Sequence, residues 1–92
     1  MLSEMPIKME KVTKENLDME ILRAAIIAEL DAINLYEQFA STTENKKLKK
    51  VLLEVAREEK THVGEFQALL LKMDSEQVEE MEKGRKEVEE LK

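Results

Sequence analysis

The chain has 92 residues, a net charge of −6 and no cysteine. A chain this short holds one domain with a small core and apolar helical faces that call for a partner subunit; without Cys it excludes disulfide staples, thiolate metal sites and Cys nucleophiles, which suits a cytosolic setting. Its basic residues are interspersed among acids, which excludes capture of nucleic acid or anionic lipid, while the lack of a long apolar run excludes a membrane span and a signal peptide.

Charged residues make up 39 % of the chain, with two Gly and one Pro, and the common residues are the helix formers Glu, Lys, Leu, Ala and Met, so the expected class is all-α. Residues 1–13, with Pro6 inside them, read as a tail. Thr13 is placed to N-cap a helix over 14–41. Ser41, Thr42, Thr43, Glu44 and Asn45 prefer turns and caps, and Asn45 is the expected N-cap of a second helix over 46–73. Asp74 with Gln77 has the spacing of a capping box and predicts a short third helix over 75–91, interrupted or ended near Gly84. The expected architecture is an antiparallel two-helix hairpin plus a short C-terminal helix, one domain over 1–92, completed to a four-helix bundle by dimerisation.

The seams carry the chemistry. In the first helix Leu22, Ile26, Glu29, Ile33, Tyr36 and Ala40 follow the alternating three-and-four spacing of a stripe facing a bundle core. In the second, Leu48, Leu52, Val55, Glu59, His62, Phe66, Leu69 and Met73 do the same, and His62 is the single histidine. A buried, unpaired carboxylate costs several kcal/mol, and neither seam carries Lys or Arg to neutralise one. A metal ion is the economical partner. Glu59 and His62 leave one helix face a turn apart, the Glu-x-x-His element of carboxylate di-metal bundles. Antiparallel packing about a turn near residue 43 brings Glu29 level with Glu59.

Such bundles need two Glu and two Glu-x-x-His elements, and this chain owns one of each. Two copies must therefore meet, with the site near their two-fold axis. Carboxylate oxygen with imidazole nitrogen suits Fe or Mn, and Zn less well. The competing readings are simpler. Glu-x-x-His recurs by chance in charged helices, His62 alone would more often be a core histidine, and Glu29 with Glu59 can set register in a metal-free helical assembly module. Tyr36 would then be core filler, and Asp31, Glu37 and Glu58 surface acids.

The stretches Ala28-Glu29-Leu30-Asp31-Ala32-Ile33-Asn34-Leu35-Tyr36-Glu37-Gln38 and Arg57-Glu58-Glu59-Lys60-Thr61-His62-Val63 resemble encapsulated ferritin, including the ferritin-like domain fused to the encapsulin shell protein in some archaea. The resemblance covers residues 17–91. It implies ferroxidase activity, Fe(II) oxidised to Fe(III), at a di-iron site between two subunits, with Glu29, Glu59 and His62 as metal ligands and Glu59 bridging. It implies a decameric ring of five dimers inside an encapsulin nanocompartment in the cytoplasm, where oxidised iron is stored. Asp31 matches an acid of a secondary metal site, although Ala28 replaces a second acid found there in some relatives; Tyr36 matches a tyrosine that can back the ligands. The end at Lys92 without a cargo-targeting tail fits the excised domain of a shell fusion, or a cargo protein lacking its targeting peptide. A rubrerythrin-like di-metal oxidase or peroxidase is the nearest alternative, without the cysteines of a built-in rubredoxin centre.

Overall fold

The computed structural model describes residues 13–92, which form three helices and no strand: α1 (Lys14–Thr42), α2 (Lys46–Met73) and α3 (Ser75–Glu89). The expected tail lies, up to residue 12, outside the described residues.

Local chemistry sets the boundaries. Thr13 occupies the N-cap of α1 with extended backbone, but its hydroxyl makes no cap bond, and its carbonyl accepts the Asn16 N–H at 3.1 Å instead. At the other end the Ser41 and Thr42 hydroxyls both donate to the Gln38 carbonyl at 2.8 Å, bonding back onto the last turn of the helix. Asn45 Oδ1 accepts the Leu48 N–H at 3.0 Å and starts α2. Asp74 does the same for α3 through Gln77 at 3.0 Å. The reciprocal half of the capping box needs the Asp74 N–H, and that group already donates to the Leu70 carbonyl at 2.9 Å to close α2. The expected interruption at Gly84 does not occur: α3 passes through it and ends at Glu89, short of the expected residue 91. Glycine costs a helix only about 1 kcal/mol against alanine, and Arg85 pairs across it with Glu82 and along the next turn with Glu89.

The hairpin is antiparallel: Arg23, Glu29 and Glu37 on α1 meet Asp74, His62 and Lys60 respectively, in descending order from Asp74. The α1 seam faces α2, with Leu22, Ile33 and Ala40 buried and Glu29 and Tyr36 half-buried. On α2 the expected seam holds in its middle, where Leu52, Val55, Glu59, His62 and Phe66 are half-buried, and is corrected at its ends. The face turned to α1 centres on Ala56 and Leu70, both buried, while Leu48, Leu69 and Met73 stay exposed. This helix is apolar over a wider arc than one neighbour can cover, so part of its stripe is left on the flank. Another departure is electrostatic: Lys46, Lys47, Lys49 and Lys50, all exposed, crowd the start of α2, where the helix dipole already favours negative charge.

One chain does not close its core. Its radius of gyration is 16.5 Å, against about 12 Å for a compact domain of this length. Ile27, Leu30, Phe39, Leu48 and Val51 are exposed, and α3 has no buried residue. Among the described residues no helix is long and apolar enough to cross a membrane.

Candidate metal centre

Glu29 projects from the middle of α1 on the stripe that packs against α2, and the Glu59–His62 turn of α2 lies opposite. The imidazole Nδ1 of His62 stands 3.2 Å from Glu29 Oε2 and 3.5 Å from Glu59 Oε2. One donor atom from each of the three residues lies within 4.8 Å of the others, the one such grouping among the described residues. The two carboxylates are 21 % and 17 % exposed and the imidazole 45 %, so the cluster is open on the His62 side. The structure thus brings together the three residues singled out from the sequence.

A single Nδ1 proton cannot fully satisfy two carboxylates, and no Lys or Arg pairs with Glu29 or Glu59 among the described residues. With Nδ1 deprotonated, the three residues offer an imidazole lone pair and two carboxylate oxygens within 4.8 Å of one another. Two carboxylate oxygens and an imidazole nitrogen form a donor set that fits Fe or Mn, and a cation placed there would offset the repulsion between the acids.

Asp31 is half-buried and outside the cluster; two residues beyond Glu29, it sits about 200° further round α1. Tyr36 is half-buried on the stripe of Glu29, two turns or about 10 Å along the axis. The structure does not bring either to the cluster within one chain. It does add two interhelix ion pairs, Lys60–Glu37 at 3.2 Å and Arg23–Asp74 at 2.8 Å. Glu37 reads from the sequence as a plain surface acid, and in so charged a chain no spacing distinguishes these partners. The Gln77 N–H and the Arg23 guanidinium hold the Asp74 carboxyl below the usual carboxylate range.

Residues 20–92 match the rubrerythrin family. The chain is 67 % identical over 79 residues to the ferritin-like–encapsulin shell fusion protein of Pyrococcus furiosus, a match covering 86 % of this chain and 23 % of that protein. It is 43 % identical over 56 residues to the encapsulin nanocompartment cargo protein EncC of Myxococcus xanthus, covering 61 % of this chain and 43 % of that one. The matched stretch spans less than half of either relative. The crystal structure of the encapsulated ferritin domain from Pyrococcus furiosus superposes with a TM-score of 0.84 at 59 % identity, over 98 % of this chain and 94 % of that one.

Proposed function

The chain belongs to the rubrerythrin family and has the fold of an encapsulated ferritin domain, and from that premise we propose that it is a ferroxidase, with Fe(II) as substrate and dioxygen as electron acceptor, at a di-iron site shared by two copies. The observation that carries this reading is the convergence of Glu29, Glu59 and His62 across the α1–α2 interface. Two copies supply four carboxylates and two imidazoles, the ligand set of ferritin-like di-metal bundles, and about four negative charges offset two divalent cations. Glu59 would be the ligand shared by the two ions, and Mn would be accepted by the same donors. Each Fe(II) gives up one electron, and the protein's part is to hold two cations close together away from bulk water. Asp31 belongs to a secondary site on the ions' way in, and Tyr36 backs the ligands.

The exposed apolar flanks and open shape support a partner copy. The working unit is a dimer, and five dimers make a decameric ring. One relative is fused to an encapsulin shell and the other is an encapsulin cargo protein, which supports a place for this chain inside an encapsulin nanocompartment in the cytoplasm, with the shell protein as partner and its lumen as the iron store. The family match also favours a second reading, peroxide as the oxidant in the manner of rubrerythrin.

The test is native mass spectrometry of anaerobic protein titrated with Fe(II), followed by oxygen-uptake assays. The expected result is saturation at one iron per chain, in even-numbered assemblies alone, with Fe(II)-dependent oxygen consumption. The combined variant Glu29→Leu, Glu59→Leu, His62→Leu should bind no iron and oxidise none above the buffer blank; oxidation at the wild-type rate would show that the site lies elsewhere. Faster consumption of Fe(II) with hydrogen peroxide than with dioxygen would select the second reading.

A further inference from the structure

A single residue, Asp74, separates α2 from α3. The surrounding Lys72-Met73-Asp74-Ser75-Glu76 holds neither Gly nor Pro, and aspartate is tolerated inside a helix at a small cost against alanine. Nothing in these residues forbids the helix from running on. An unbroken helix over 46–89 would be about 66 Å long at 1.5 Å per residue, yet the longest dimension of the molecule is 46 Å. The chain is bent without a helix breaker.

What holds the bend is polar. Asp74 leaves helical geometry at φ −119° and ψ 87°. Its N–H still donates to the Leu70 carbonyl at 2.9 Å, ending α2, while its carboxylate accepts the Gln77 N–H at 3.0 Å, starting α3. The same carboxylate accepts a hydrogen bond from the Arg23 guanidinium of α1 at 2.8 Å. No apolar core reinforces the arrangement, because α3 has no buried residue. Straightening would pair the first N–H groups of α3 with the last carbonyls of α2, at the cost of the cap and the Arg23 bond. Three backbone bonds, from the N–H groups of Ser75, Glu76 and Gln77, would replace the two side-chain bonds to Asp74, a difference of one exposed hydrogen bond, which leaves two forms close in free energy.

We infer that Arg23 and Asp74 form a polar clamp on a two-state hinge: closed, it turns α3 off the axis of α2; open, α2 and α3 merge into one continuous helix. Val78, Met81 and Val88 are exposed on α3, so the state of the clamp decides where these side chains are offered to a second copy. Neither Arg23 nor Asp74 belongs to the cluster of Glu29, Glu59 and His62.

The experiment is pulsed electron spin resonance on metal-free protein. The chain has no cysteine of its own, so nitroxides attached through Lys50→Cys and Lys86→Cys report one pair per chain, with labelled protein diluted into unlabelled protein to isolate the distance within a chain. In a continuous helix these positions lie about 54 Å apart. The clamped protein should give one shorter distance. Asp74→Ala, which removes cap and ion pair together, should add a population near 54 Å; Asp74→Asn, which retains a cap acceptor, should add a smaller one. Arg23→Ala changes an exposed side chain outside the core and should also populate the long distance, which keeps a reading available if Asp74→Ala unfolds. An unchanged distance distribution in both Arg23→Ala and Asp74→Asn would overturn the clamp.

Discussion

Glu29→Gln separates a metal site from a structural polar cluster, because the amide keeps the shape of the side chain and an oxygen able to accept from His62 while removing one charge. The donor atoms of Glu29 and Glu59 lie within 4.8 Å of each other. Two unit charges at that distance repel by about 3 kcal/mol at an effective dielectric constant of 20, suited to side chains that are mostly but not fully buried. Removing one of them should therefore stabilise the metal-free protein by roughly 1–3 kcal/mol, and each kcal/mol raises the melting temperature of a domain this size by about 4–8 °C. Added metal should reverse the ranking. At a free Mn(II) concentration of 100 Kd the wild type gains about 2.7 kcal/mol, while the variant, short of a ligand, gains much less. Thermal melts followed by circular dichroism, in chelator and in Mn(II), read both effects. A Glu29→Gln protein that melts lower than wild type in chelator, or that gains as much from Mn(II), would refute the assignment of these carboxylates to a cation.

Leu70 is 5 % exposed on the face of α2 that meets α1, and Leu70→Ala should cost about 2–4 kcal/mol in denaturant unfolding; a loss below about 1 kcal/mol would mean the hairpin core is not where Leu70 lies. Asn45→Ala removes the side chain that caps α2 and should cost about 1 kcal/mol, with the unfolding slope unchanged. Because the Asp74 carboxyl lies below its ordinary value when folded, its contribution is complete above that value and is lost as pH falls through the ordinary range toward the folded pKa. Asp74→Asn should flatten the fall of the urea midpoint below about pH 5, and an unaltered acid slope would contradict the pairing with Gln77 and Arg23.

Much of the hairpin is legible because its signals are local. Asn45 and Asp74 announce helix starts through side chains that reach backbone groups three residues on, and the alternating three-and-four spacing of Leu22, Ile26, Glu29, Ile33, Tyr36 and Ala40 marks the face of α1 that packs. Glu59 and His62 are tied by one helical turn whatever the tertiary context. Their meeting with Glu29 follows from counting residues on either side of a three-residue turn, since two antiparallel helices rise at the same rate. Gly84 misleads for the opposite reason: its local penalty is only partly offset by the exposed ion pairs of Arg85, yet it is too small to break a helix of 15 residues.

The sequence by itself determined the helical class, the caps at Asn45 and Asp74 and the three residues able to hold a cation, because these depend on backbone periodicity and on spacing along it. The tertiary structure alone decided which arc of α2 lies against α1 and which charged side chains pair between helices. Those outcomes depend on how much apolar surface one neighbour can cover and on side chains 51 positions apart, and neither quantity is written in local spacing.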